Sequence, residues 1–168
     1  MIRKLSVAFA TLAVLASLNG CAKTPTPQDT AADKAKLESD ALTWFDAFAR
    51  GDSDSVANLY AEDAVLMPPN MPAVSGRAAI KTVLSQMIAE AHAGKMSMKN
   101  TNTTGSDVSG DMGWISGAFS IADSTGATID SGKYVTVHHR VNGSWLYVRD
   151  IWNSDRPAAP TAPAKHKK

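Results

Sequence analysis

A single cysteine, Cys21, is present in 168 residues. No disulfide can form within the chain, so any fold it adopts rests on an apolar core rather than on covalent staples. A cationic surplus is missing too. The formal charge is +1, and it turns negative for the body once Arg3, Lys4, Lys165, Lys167 and Lys168 are set aside. Nucleic acid, which needs a concentrated basic face, is therefore not an expected partner. The four histidines are scattered: His92 ends a helical stretch, His138 and His139 alternate along a strand, and His166 lies in the C-terminal tail. No trio with metal-ligand spacing results, so neither a metal nor a cofactor is expected. Internal repeats are absent, and the apolar stretch from Leu5 to Leu18 is shorter than the roughly 20 residues a bilayer span needs.

That stretch fits something else. Arg3 and Lys4 precede it, and Leu18-Asn19-Gly20-Cys21 follows it at once. A positive n-region, a short apolar h-region and a cysteine after a small residue are the marks of an export signal that ends in a lipidated cysteine. Residues 1–20 are read as a lipoprotein signal peptide and Cys21 as its lipidation site, which ties the protein to a membrane. Ala22 follows the cysteine where Asp would favour inner-membrane retention, so the expected place is the outer membrane, facing the periplasm. Residues 21–28 form a Pro/Thr-rich tether, 29–157 one domain, and 158–168 a Pro/Ala/Lys tail.

Within the domain the period changes once. Leu37, Ala41, Trp44, Phe45 and Phe48 recur at spacings of three and four, which predicts a long helix ended by Gly51. Asp52 or Ser53 caps a short second helix, Ala64 to Met67 reads as a strand stopped by Pro68-Pro69, and Ser75 caps a third helix running to Gly94. After Gly94 the residues alternate, and four stretches, 95–104, 112–121, 133–141 and 145–153, read as strands of an antiparallel meander. Asn142-Gly143 between two β-branched and aromatic runs predicts a two-residue type I′ hairpin. Its register pairs Val141 with Ser144, His139 with Leu146, Val137 with Val148, Val135 with Asp150 and Lys133 with Trp152. Val, Leu and Trp dominate that face, so it is assigned to the core. The opposite face carries Tyr134, Arg140, Trp145, Tyr147 and Arg149, residue types enriched at contacts, and is assigned to an interface. Three helices against a curved sheet make an α+β domain.

Four segments in order carry a resemblance: Trp44 to Asp52, Leu59 to Val65, Ser75 to Ile80, and Gly143 to Asn153. Together they resemble the nuclear transport factor 2-like (NTF2-like) superfamily, and within it the SnoaL-like and ketosteroid-isomerase-like proteins. The resemblance implies a cone of helices on a curved cystatin-like sheet, a cavity at the open end, and a homodimer formed through the sheet. It does not imply steroid-isomerase chemistry. At the position of the isomerases' general base stands Pro68, which moves no proton. At the position of their tyrosine donor stands Trp44, which donates but does not titrate.

The pattern leaves Asp150 as the candidate acid or base, because a carboxylate facing a core is costly unless it meets a donor or a cavity. A structural hydrogen bond from Trp44 or Tyr60 is the alternative role. His139 shares the assigned face, but ~13 Å along the strand at about 3.3 Å per residue it forms no direct dyad with Asp150. Trp44, Tyr60, Met67, Met71 and Trp152 are expected to line a pocket for a small, largely apolar molecule. Three roles remain open at this point: a binding protein, a lyase, isomerase or hydrolase working through Asp150, and a dimeric interaction module with a filled core.

Overall fold

The computed structural model describes residues 27–157. The expected signal peptide, Cys21 and the tail lie outside them, as does the tether up to residue 26. Nine elements follow in order: α1 (Pro27–Arg50), α2 (Ser53–Asn58), β1 (Tyr60–Met67), β2 (Val74–Ser75), α3 (Arg77–Ala93), β3 (Ser97–Ser109), β4 (Met112–Ala122), β5 (Thr128–Val141) and β6 (Ser144–Ser154). The helix α1 begins two residues inside the expected tether, with Pro27 at its start, where its missing N–H is no loss. The strands form one sheet in the order β2-β1-β6-β5-β4-β3. All neighbours are antiparallel except β1 and β6, which run parallel.

Local chemistry sets the helix ends. Asp52 caps α2, its Oδ1 accepting from Ser55 N at 3.0 Å. Ser75 does not cap α3 as expected: it sits in β2, and Gly76 occupies the cap with no side-chain hydrogen bond. Tyr60 opens β1.

The buried side of α1 carries Leu37, Ala41, Ala47 and Phe48. Phe48 joins Val56, Tyr60, Leu66, Ile80 and Leu84 in the main core, while Leu37 packs with Val108 and Trp145 nearer the hairpin tip. Each fully buried Leu or Ile contributes about 1.5–3 kcal/mol. Polar contacts fix the first turns of α1 to the β5–β6 hairpin. Asp33 Oδ1 accepts from Trp145 Nε1 at 3.0 Å, its Oδ2 pairs with Arg140, and the Arg140 guanidinium lies 4.5 Å above the Trp145 ring.

The hairpin itself turns as expected at Asn142 and Gly143, both with positive φ (51° and 82°). Pairing also starts as expected, with Val141 opposite Ser144 and His139 opposite Leu146. It then departs. His138 pairs with Tyr147 and Val137 with Arg149, so Val148 stands alone as a β-bulge. An extra residue reverses the side-chain alternation of everything beyond it. Trp145 and Tyr147 before the bulge are buried, and so is Asp150 after it, while Arg149 and Ile151 are exposed.

The opposite strand has no such reversal, and it buries the face not assigned to the core. Tyr134, Thr136 and His138 point inward, whereas Lys133, Val135 and His139 are exposed. The expected contact residues Tyr134, Trp145 and Tyr147 are thus interior, Arg140 is committed to Asp33, and of the five Arg149 alone is exposed. Valines misled here because both faces of this sheet carry apolar residues, and alternation alone does not say which one is inside.

Two glycines make the interior possible. A Cβ on Gly117 would lie 2.4 Å from Tyr134 Oη, and one on Gly132 would lie 2.5 Å from the Phe119 ring and 2.0 Å from Asn153 O. Each aromatic ring lies back over the glycine paired with it across the ladder. Gly132→Ala is expected to destabilise the domain by about 1–3 kcal/mol or more through overpacking, read from the midpoint of urea unfolding.

Candidate functional site

Adjacent strands align the inward side chains into rows. Asp150 lies between Leu66 of β1 and Thr136 of β5, and the next row places Trp152 beside Tyr134, with Gly117 beyond it. Above these rows α1 contributes Ala41, Trp44 and Phe45, while Met87 of α3, Met98 of β3 and Phe119 of β4 close the sides. Between them is a small cavity of about 50 Å³, open at its mouth. Its wall, apolar with few polar groups, has the usual composition of a small-molecule site.

Asp150 is the ionisable acid of this cavity, and it is 6 % exposed. Tyr60 Oη donates to its Oδ2 at 2.5 Å, and Trp44 Nε1 donates to Tyr60 Oη at 2.9 Å. A relay of two neutral donors therefore ends on the carboxylate. Burial pushes the Asp150 carboxyl up to about 6, against the opposing effect of the Tyr60 hydrogen bond. Burial, then the nearby Asp150 charge, also raises Tyr60 well above an ordinary phenol, so Tyr60 stays a donor. Desolvation outweighs the hydrogen bond because one neutral donor cannot replace the hydration of an anion.

Other polar groups share the interior. His138 is 1 % exposed, its Nε2 bonds Thr136 Oγ1 at 2.8 Å, and its ring meets Tyr147 at 4.3 Å between centroids. Burial, aided by the charge of Lys36, lowers it to about 3, so it is a neutral core histidine. Tyr134 Oη approaches Asn100 and Thr103. It forms no hydrogen bond of proper geometry among the described residues.

Of the residues expected at the site, Asp150, Trp44 and Trp152 line the cavity, and Tyr60 reaches it through its hydrogen bond to Asp150. His139 does not: it is exposed on the outer face, because β5 keeps strict alternation and His138 points in. Met67 is half-buried at the end of β1 and Met71 is 52 % exposed in the following loop, and neither lines the cavity. Phe45, Phe119, Tyr134, Thr136 and Tyr147 were not foreseen as lining residues. Gly117 and Gly132 were the available signal, since a glycine inside a strand marks a close approach by something bulky. Among the described residues no group of His, Cys, Asp and Glu is placed to hold a metal ion.

A model of the SnoaL-like domain matches residues 41–148. No curated protein matches. Among solved structures, the chain is similar to an NTF2-like protein with a cystatin-like fold from Novosphingobium aromaticivorans, at 18 % identity and a TM-score of 0.65, over 71 % of this chain and 80 % of that one. It is similar to an NTF2-like protein of unknown function from Pseudomonas putida KT2440, at 16 % identity and a TM-score of 0.67, over 82 % and 94 %. A ketosteroid isomerase-like protein from Erwinia carotovora atroseptica is similar at 22 % identity and a TM-score of 0.56, over 74 % and 98 %. At these identities the likeness is one of fold.

The raised Asp150 carboxyl has a measurable cost. Its native state holds the proton more tightly than the unfolded chain does, so the stability this group contributes is present at pH 4 and lost as pH rises through about 6. The neutral His138 works the other way, costing stability as pH falls below the ordinary histidine range. Comparison with Asp150→Asn isolates the first effect, because His138 is common to both proteins. The stability of the variant relative to the parent is expected to rise by about 3 kcal/mol between pH 4 and pH 7.5, measured by urea unfolding at each pH.

Proposed function

The chain belongs to the SnoaL-like domain family, of the NTF2-like superfamily, and on that footing we propose that it binds a small, largely apolar molecule inside the cone, with one polar group of the ligand directed at Asp150. The observation that carries this reading is a buried carboxylate at the wall of an apolar cavity, hydrogen-bonded by a neutral tyrosine. A purely structural aspartate would be expected where several donors converge. Native mass spectrometry of the whole chain is expected to show an added mass that leaves on gentle activation, reduced in Trp152→Ala. A clean spectrum, with no change in melting temperature across a panel of small hydrophobic compounds, would overturn the binding reading.

An acid/base step at the same residue is the second reading. A carboxyl held at about 6 titrates near neutral pH, where proton transfer by a positioned group is most effective. Trp44 and Tyr60 then orient Asp150. This reading expects Asp150→Asn to abolish turnover of a bound substrate while leaving its binding in place.

The same proposal places the domain at the bacterial envelope, tethered by a lipid on Cys21, and pairs it with a second copy of itself through the outer sheet face. Support for the tether is the apolar stretch before Cys21. For the pair it is the exposed set Met112, Trp114, Val135 and Ile151. Trp114 lies opposite Val137, and Val135 opposite Ile151. The patch is therefore contiguous across three strands, with Arg149 beside Val137, and apolar enough to be its own complement across a two-fold axis. Trp114→Lys with Val135→Lys is expected to convert a dimer to a monomer in analytical ultracentrifugation; a monomeric parent would contradict it.

A further inference from the structure

Asp150 lacks a counter-ion. The ion pairs of the described residues engage Asp33, Asp40, Asp54, Glu62, Asp107, Asp111 and Asp155, and none reaches Asp150. The elements packed around it explain why. From α1, Lys36 acts on His138 and is paired with Asp40. From β1 and β6 come the neutral phenols of Tyr60 and Tyr147, both raised by burial. From β5 come Tyr134 and the neutral His138, whose Nε2 is taken by Thr136. The side walls on α3 and β3 contribute thioethers, Met87 and Met98.

The rest of the wall is aromatic. Trp44, Phe45, Phe119, Tyr134, Tyr147 and Trp152 all line the same cavity. An aromatic face carries the negative part of a quadrupole and attracts a cation set over it, by about 0.5–2 kcal/mol per contact and most when water is excluded. A buried carboxylate without a partner has the same preference and a larger stake, because an unpaired ion in an apolar place is costly. A carboxylate set among aromatic rings therefore favours a cationic ligand, and an anionic one would be repelled by Asp150.

We propose that the ligand is an organic ammonium, a protonated or quaternary amine whose cationic nitrogen sits against Asp150 while its carbon substituents are enclosed by the aromatic wall. This rests on the binding reading above and specifies the ligand's chemical class. It also accounts for the absence, among the described residues, of an ion pair to Asp150: the ligand supplies the cation. Binding then requires the ionised carboxylate, so affinity rises with pH through the range in which Asp150 loses its proton. Tyr60, as a neutral donor, steadies that anion without competing for its charge.

A matched pair of probes tests this. Choline and 3,3-dimethylbutan-1-ol have the same shape and differ in the charge at one atom. With the whole chain, isothermal titration at pH 8 is expected to show choline binding at least about tenfold more tightly than the alcohol, the equivalent of one cation–π or charged hydrogen-bond contact. That preference is expected to shrink by about tenfold at pH 5 and to vanish in Asp150→Asn. Tyr60→Phe, which keeps the carboxylate, is expected to retain it, and serves if the Asp150 variant does not fold. Equal or tighter binding of the alcohol would overturn the ammonium proposal and leave the binding reading standing. No binding of either probe at millimolar concentration would overturn the proposal as well, and a clean native mass spectrum beside it would remove the binding reading too.

Discussion

One unpaired residue in β6, Val148, decides what the interior of this domain contains. Without it, a strand that buries Trp145 and Tyr147 would present Arg149 and Ile151 to the core and turn Asp150 and Trp152 to solvent. With it, a single strand supplies a core tryptophan and a core tyrosine on one side of the bulge, and a carboxylate and a cavity-lining tryptophan on the other. Bulges also bend a strand and increase its twist. Further extra residues, Thr101 and Thr104 in β3 and Ile129 near the start of β5, do the same for those strands. The result is a sheet curved enough to leave space beneath α1, held open by rings that lie over Gly117 and Gly132.

That space sets the chemistry. A carboxylate brought into it loses hydration, and the relay from Trp44 through Tyr60 restores part of what was lost. The remainder appears as a proton held up to about 6. Trp44 is therefore no empty replacement for a tyrosine donor. It acts one step further back, on Tyr60, which comes from the start of β1. The donor to Asp150 thus comes from β1, while Pro68 is buried past the end of that strand with nothing to titrate.

Much of this is legible in the residues. The apolar spacing along α1, the Asp52 cap, the Asn142-Gly143 turn and the order of elements follow from local propensity and patterning, which act over a few residues. Asp150, Trp44, Tyr60 and Trp152 also come together as expected, because a buried carboxylate demands a donor and indole and phenol supply one. Facing is what local patterning could not decide. Val135, Val137 and Ile151 make the outer face as apolar as the inner, so alternation gives two equal answers. A one-residue bulge leaves no mark in composition, and it brings Asp150 and Trp152 to the same side of the sheet as Trp145 and Tyr147.

The central claim is that Asp150 is a desolvated carboxyl whose one strong support is the Tyr60 hydroxyl. Carbon-13 labelling of aspartate, with the Asp150 side-chain carboxyl resonance assigned by comparison with Asp150→Asn, reports its titration directly. The account predicts a midpoint near 6, moving higher in Tyr60→Phe as the hydrogen bond is lost. A midpoint at the ordinary aspartate value, unmoved by Tyr60→Phe, would mean that the cavity is wet at Asp150 and would contradict the account.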